Sequence, residues 1–334
     1  MKRVVQLSVS SIQAFLLKLF SIIFSSLLSL GAVSVQTPAA DAPVKPQSDE
    51  VEMSFVAWAD PQISNYLFSR YATFISVSED IQNENNSFDA LVVAGDIAEN
   101  GLAEEYKLVY DGISGLDCKY IMASGNHDLR MRRYSQSTAR IFEFANALNT
   151  DDNYDIDSLS YSKEVNGIKF IVLGSDRTEF EESYISDAQL KWLKAELEAE
   201  KDSGKPVFVI NHQTLKDVHG LPDTWNSPIA SAGSVGKQSD ELKDILSPYG
   251  NVFFITGHLH TGIGKYTYEK IGEAHSVNLP SLCINNKDGD YNEAGIGFYV
   301  EVYADRVLFR ARNFAKGEWL PEYDINIPLS ESAN

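Results

Sequence analysis

The chain has 334 residues, 44% hydrophobic and 22% charged, a balance that excludes a largely disordered protein. Its 47 acidic residues against 28 Lys and Arg give a net charge of −19, which argues against a nucleic-acid polymer as partner, since such partners select basic faces. Two cysteines, Cys118 and Cys283, are too few for a disulfide-built scaffold or a CxxC-type zinc site, so any metal must be held by His, Asp, Glu, Asn or Gln.

Met1-Lys2-Arg3 opens the chain with positive charge, Leu19 to Val35 then runs without a charge, and small residues stand at Gly31, Ala32 and Ser34. Basic, apolar, small is the order of a secretory signal peptide, so residues 1–34 are expected to direct export and to be removed. An uncleaved anchor over residues 14–35 is the competing expectation, because a run of this length approaches the lower limit for spanning a bilayer. That segment is the only one expected to meet a membrane. Residues 37–50 hold three prolines and no aromatic, so 35–50 reads as a flexible linker. Cys118 and Cys283 are expected as unpaired thiols.

From residue 54 onward, short apolar runs alternate with helical segments. Ser54–Ala59, Ala90–Ala94, Tyr120–Ala123, Phe170–Gly174, Val207–Ile210 and Val252–Thr256 suit strands buried on both faces. Helices are expected over 64–85, 102–113, 138–148, 187–203 and 238–247. The clearest follows Ser186 as N-cap, with Leu190, Leu193 and Leu197 at helical spacing and Gly204 and Pro206 as stops. Asn166-Gly167 between Tyr161–Val165 and Ile168–Leu173 is a hairpin signal. After residue 262 the helices stop, and Lys265–Lys270, Ala274–Leu279, Ile296–Tyr303 and Val307–Asn313 read as an antiparallel set. The expected fold class is α/β, one domain over 51–316 with sheet against sheet and helices outside, followed by a tail over 317–334.

Apolar strands end repeatedly in metal-binding residue types: Asp60-Pro61-Gln62, Gly95-Asp96-Ile97-Ala98-Glu99-Asn100, Gly125-Asn126-His127-Asp128, Asn211-His212 and Gly257-His258-Leu259-His260. In open α/β sheets ligands collect outside the carboxyl ends of strands. In extended chain, residues i and i+2 point the same way, so Asp60 with Gln62, and His258 with His260, can address one site. Asp96 is the candidate to bridge two cations. Two ions about 3.5–4 Å apart can clamp a phosphoryl group and ionise a water. Imidazoles with carboxylate and amide oxygens suit Zn, Fe or Mn.

Four of the six histidines fall in these segments, in the order D-x-Q, GDxxxN, GNHD, H, GHxH. In this the chain resembles the calcineurin-like metallophosphoesterase superfamily, over roughly residues 54–262. The resemblance implies a four-layer fold, two β-sheets packed face to face and flanked by helices. It implies that Asp60, Asp96 and His260 hold a first divalent ion, with Gln62 where the family usually has His, and that Asp96, Asn126, His212 and His258 hold a second. His127 would stabilise the non-bridging oxygen or protonate the leaving alkoxide, and Asp128 would orient His127 by accepting its other ring proton. The segment after Gly95 is not the GDxVDRG of protein Ser/Thr phosphatases, and Glu99 stands where purple acid phosphatases have a metal-binding Tyr. GNHD with GHLH looks more like the branch that includes cyclic-nucleotide and other small phosphodiesterases.

The implied function is an exported phosphoesterase with two divalent ions, hydrolysing a small phosphate ester, a diester by preference, through attack of metal-bound hydroxide. A phosphomonoesterase of the same fold is one alternative. A non-catalytic, metal-stabilised binding protein is another, motivated by Gln62. Substrate contacts are expected from the basic knot Arg130, Arg132 and Arg133 directly after GNHD, since guanidinium binds phosphate oxygens bidentately. The long segment Gln213–Gly236, with His219 and Trp225, is expected at the rim of the site, with His219 as a further candidate contact.

Overall fold

The structure, a computed structural model, describes residues 50–83, 87–150, 156–225, 227, 229 and 231–329. The expected signal peptide, and the linker up to residue 49, lie outside the described residues. Among the described residues no helix is long and apolar enough to cross a membrane. Strand β1 (Met53–Trp58) pairs in parallel with β2 (Ala90–Ala94), and β2 with β3 (Lys119–Ala123). Successive side chains point to opposite faces of a strand. Phe55, Ala57, Val92 and Ala94 therefore enter one core, while Val56, Trp58, Leu91 and Val93 enter another. Helices α1 (Phe68–Ile81), α2 (Ala103–Ile113) and α4 (Tyr134–Leu148) complete that second core with Phe74, Val109 and Phe144.

The second sheet is built the same way. The hairpin β4 (Tyr161–Val165) and β5 (Ile168–Val172) turns at Asn166 and Gly167, both with positive φ, as a two-residue turn of this kind requires. β5, β6 (Val207–Ile210) and β7 (Val252–Thr256) run parallel. Their outer face is covered by α5 (Asp187–Glu200) and α6 (Ser239–Leu246) through Leu190, Leu193, Leu197 and Leu242. Ser186 Oγ caps α5 by accepting from the Gln189 N–H at 3.3 Å. Between the sheets the core is aromatic: Phe208 lies 4.8 Å from Phe55, 5.2 Å from Phe170 and 5.3 Å from Phe253, centroid to centroid. Helix, sheet, sheet, helix is the resulting layer order. Cys118 and Cys283 are free thiols, and burial pushes the Cys118 thiol up to about 12.

Two expectations about the C-terminal quarter are corrected. Its strands do not form one antiparallel set. β8 (Tyr268–Ile271) pairs antiparallel with β9 (Ala274–Asn278), which pairs in parallel with β7, whereas β10 (Ile296–Val302) inserts antiparallel beside β1 and carries β11 (Arg306–Asn313). The chain crosses between sheets because β7 and β1 each leave an edge on which a strand can pair. The stretch after residue 316 is not a free tail either. β12 (Glu318–Trp319) and β13 (Ile325–Pro328) pair with β11, and Ile327 buries itself between the sheets.

The segment 213–236 is tied down by His219, which corrects the expectation that His219 meets substrate. Its ring is fully buried, donating from Nδ1 to the Tyr266 carbonyl at 2.7 Å and accepting at Nε2 from Ser276 Oγ at 2.8 Å. Both ring nitrogens are occupied by the neutral tautomer, and burial lowers the pKa to about 4. The unfolded chain takes up a proton near pH 6.5 that the folded protein refuses until about pH 4. The stability contributed by keeping His219 neutral is thus complete above pH 6.5 and is lost as pH falls through that window. Between pH 7 and pH 5 the loss from this residue should be about 2 kcal/mol, and urea unfolding of the protein and of His219→Gln at both pH values measures it. Equal losses in the two proteins would contradict the account.

Candidate metal centre at the strand ends

Beyond the strand ends the backbone does not stay extended. Asp60, Gln62, Asp96, His258 and His260 all adopt left-handed conformations, with φ between 42° and 71°. Such backbone costs a residue other than glycine about 1 kcal/mol or more, and Asp and His tolerate it better than most. The side chains converge because the chain turns at each of them, not through the i, i+2 alternation expected from an extended strand. Backbone hydrogen bonds enforce the turns. Asp60 N–H donates to the Gly95 carbonyl at 3.1 Å, Gln62 N–H to that of Asp96 at 2.8 Å and Ile63 N–H to that of Ile97 at 3.0 Å. Gly125 and Gly257 are needed for close approach: a Cβ at these positions would stand 2.1 Å from Asp96 Oδ1 and 2.5 Å from Asp60 Oδ2.

Asp60 and Asp96 lie at the heart of the site, both buried. Asp60 Oδ2 accepts from the His258 backbone N–H at 2.8 Å, and its Oδ1 lies 3.1 Å from His260 Nε2. Asp96 Oδ1 accepts from the His127 backbone N–H at 2.8 Å, while its Oδ2 meets Gln62 Nε2 at 3.0 Å and His212 Nε2 at 3.2 Å. His212 donates from Nδ1 to the Ala94 carbonyl at 2.8 Å, which fixes the ring and aims Nε2 into the cluster. His258 Nδ1 stands 3.2 Å from that Nε2, and His258 Nε2 is buried with no hydrogen-bond partner. Asp96, His212 and His258 thus offer three ligand atoms all within 4.8 Å of one another.

The electrostatics of this group call for positive charge. Burial by itself would lower the His212 pKa, yet Asp96 and Asp60 raise it to about 10. Burial would likewise raise Asp96, but His212 outweighs it and holds the carboxyl well below its usual range. His258, desolvated and facing His212, is held well below the ordinary value. Two buried carboxylates, imidazole nitrogens directed at them and an unpartnered His258 Nε2 form a donor set that fits a divalent cation.

His127 joins the group, but Asp128 does not orient it. His127 Nδ1 lies 2.8 Å from the Glu99 carbonyl, so that backbone group sets its tautomer. Both residues sit on the short helix α3 (Asn126–Leu129), where consecutive side chains diverge by about 100°. Asp128 faces the other way and accepts from the N–H groups of Ile97 (3.2 Å), Ala98 (3.0 Å) and Gly125 (2.9 Å) and from Tyr106 OH (2.9 Å). It fastens the turn after β2 to the turn after β3. Burial and Asp96 nonetheless raise its pKa to about 6.

Asp96, Gln62, Asn126, His127, His258 and His260 line one cleft of about 360 Å³. Of the expected arginines, Arg130 reaches it indirectly, with Nη2 2.7 Å from His127 Nε2. Arg132 and Arg133 are exposed and do not line the cleft, which removes them as substrate contacts: they precede α4 on its solvent side. Other lining residues escaped sequence reasoning. Arg70 on α1 donates to the Gln62 carbonyl at 3.2 Å and pairs with Glu99. Glu181 accepts from Asn126 Nδ2 at 3.1 Å and from Arg130 Nη1 at 2.9 Å. Trp225, noted only as part of a rim segment, stacks on His258 at 4.5 Å and 23°. The rule that ligands gather beyond strand ends could have flagged Glu181, which follows β5; nothing in the sequence singles out Arg70.

A profile of the calcineurin-like phosphoesterase family matches residues 53–262. A 3',5'-cyclic-nucleotide phosphodiesterase of Nostoc is 24% identical over 212 residues, 63% of this chain and 69% of its own length. A probable glycerophosphodiester phosphodiesterase of Arcobacter nitrofigilis is 26% identical over 183 residues, 54% of this chain and 59% of its own. A probable cyclic nucleotide phosphodiesterase of Rhodococcus erythropolis is 29% identical over 179 residues, 52% and 51%. In fold, the chain is similar to a dimetal phosphatase from Danio rerio at TM-score 0.60 and 15% identity, covering 84% of this chain and 100% of that one.

If Asp128 fastens two turns, Asp128→Ala should destabilise the protein by about 3–5 kcal/mol, because several buried donors lose a charged acceptor together. Chemical denaturation checks this. Unchanged stability with reduced activity would restore the orienting role that the contacts deny.

Proposed function

The chain belongs to the calcineurin-like phosphoesterase family of metal-dependent phosphoric ester hydrolases, and we propose that it hydrolyses a small phosphodiester outside the cytoplasm with two divalent ions. The diester reading is supported by the three similar curated proteins, each named a phosphodiesterase. The export reading rests on the basic, apolar and small order of residues 1–34. The observation that carries the metal reading is the buried, unpartnered Nε2 of His258 beside the Asp96–His212 pair.

Asp96, Asn126, His212 and His258 would hold one ion, and Asp60, Asp96 and His260 the other. Gln62 spends its amide nitrogen on Asp96, which leaves only its neutral oxygen for an ion. Such ions polarise phosphoryl oxygens and lower the pKa of water. The protein's own groups do the rest. His127, with its Nδ1–H donating to the Glu99 carbonyl, presents Nε2 to the cleft; as the imidazolium it would give the Nε2 proton to the departing alkoxide and keep the Nδ1 proton on that carbonyl. The substrate oxygen enters where Arg130 now stands beside Nε2. Lys287 lines the cleft as a donor to phosphoryl oxygens, and Trp225 shields one face of His258 from water.

Bis(p-nitrophenyl) phosphate with added Mn²⁺ tests the activity directly, and hydrolysis of monoesters alone would overturn the diester reading. His127→Ala should keep its metals and lose about 10²–10⁴ in rate, the range of a general acid. Loss of the ions instead would make His127 a ligand. Asp96→Asn should lower metal content at both positions, and retention of two ions would remove Asp96 from the shared role.

A further inference from the structure

We infer that Glu181 is a specificity-determining residue that makes the cleft select singly charged phosphodiesters over doubly charged phosphomonoesters, an inference that rests on the diester reading above. A phosphomonoester carries a second negative charge at neutral pH, since its second pKa is about 6. To hold that charge a site needs a cation not already paired. The two arginines at the cleft are both committed: Arg70 is paired with Glu99, and Arg130 Nη1 lies 2.9 Å from Glu181 Oε1. Lys287, the one cleft-lining cation without a carboxylate partner among the described residues, is exposed at the rim, where water screens its charge and it holds a second phosphoryl charge only weakly.

Glu181 acts twice. Its carboxylate neutralises Arg130, the guanidinium that stands 2.7 Å from His127 Nε2. Its other oxygen accepts from Asn126 Nδ2 at 3.1 Å, which places the negative charge on the lining of the cleft itself. There it repels a second phosphoryl charge at short range, where water screens incompletely. The segment is held in place. Gln213 Nε2 donates to the Glu181 carbonyl at 3.0 Å, and the Arg130 guanidinium lies over the Phe180 ring at 5.1 Å. The Arg130 and Glu181 side chains are 17% and 33% exposed, less open than an ordinary surface pair.

The test compares the metal-loaded full chain with Glu181→Gln, and with Glu179→Gln as a control. Glu179 loses the same charge in the same segment but pairs with Arg177, away from the cleft. The readout is kcat/KM for p-nitrophenyl phosphate relative to bis(p-nitrophenyl) phosphate, together with affinity for inorganic phosphate by calorimetry. Glu181→Gln should raise the monoester-to-diester ratio about tenfold or more and tighten phosphate binding, and Glu179→Gln should change neither. Arg130→Gln, which leaves Glu181 unpaired, should lower the ratio below that of the unaltered protein. An unchanged ratio in Glu181→Gln with metal content and Tm retained overturns the inference, as does a raised ratio in Arg130→Gln. If the unaltered protein cleaves no diester, the functional reading fails by itself. Phosphate affinity then still decides on Glu181, and equal affinity in the unaltered protein and Glu181→Gln counts against it.

Discussion

Two carboxylates, Asp60 and Asp96, are buried where the carboxyl ends of the strands of both sheets meet, and an ionised carboxylate is among the most costly groups to take out of water. Each is met by backbone N–H groups and imidazole nitrogens from segments far away in sequence: His258 and His260 for Asp60, His127 and His212 for Asp96. Those partners come from the turns following β3, β6 and β7 and the acids themselves from the turns following β1 and β2, so neutralising two acids fixes how five loops sit. Small inner residues at the strand ends, Ala59, Ala94 and Ala123, leave space at the sheet interface, and the Ala94 carbonyl receives the His212 ring there.

The same constraint explains the unusual backbone. Left-handed conformations at Asp60, Gln62, Asp96, His258 and His260 are individually unfavourable, and they persist because ladder-like hydrogen bonds beyond the sheet and the Asp128 staple over-determine them. Backbone strain thus gathers at five residues of the candidate metal centre. The aromatic core around Phe208 lies just below and gives the loops a rigid base.

Much of this was legible in the sequence. The unbroken apolar run Phe55-Val56-Ala57-Trp58 announces a strand with two covered faces, and Asn166-Gly167 announces a hairpin, because both signals are local. The motif residues were legible as a group through their order. Asp128 departs from the role that the family resemblance implies for it, because one helical step past His127 turns its side chain to the opposite side. His219 was misread because nothing in the segment 213–236 reveals that Ser276 and Tyr266, some fifty residues on, close around it. The basic knot contributed Arg130 alone, since Glu181 selects which arginine faces inward and stands 51 residues away. The strand-pairing partner of β9, likewise, is settled by long-range packing and not by its own pattern.

The central claim is that the Asp60–Asp96 group is a divalent-metal centre whose His212–His258 half is the better built, with Gln62 weakening the other. Metal analysis of the native protein during graded dialysis against a chelator tests it most directly. The expected result is release in two separate steps, with Mn²⁺ restoring the first-released position and the second ion retained longer by the nitrogen-rich set. Simultaneous release of two ions would contradict the inequality ascribed to Gln62, and failure to bind any divalent ion would contradict the centre itself.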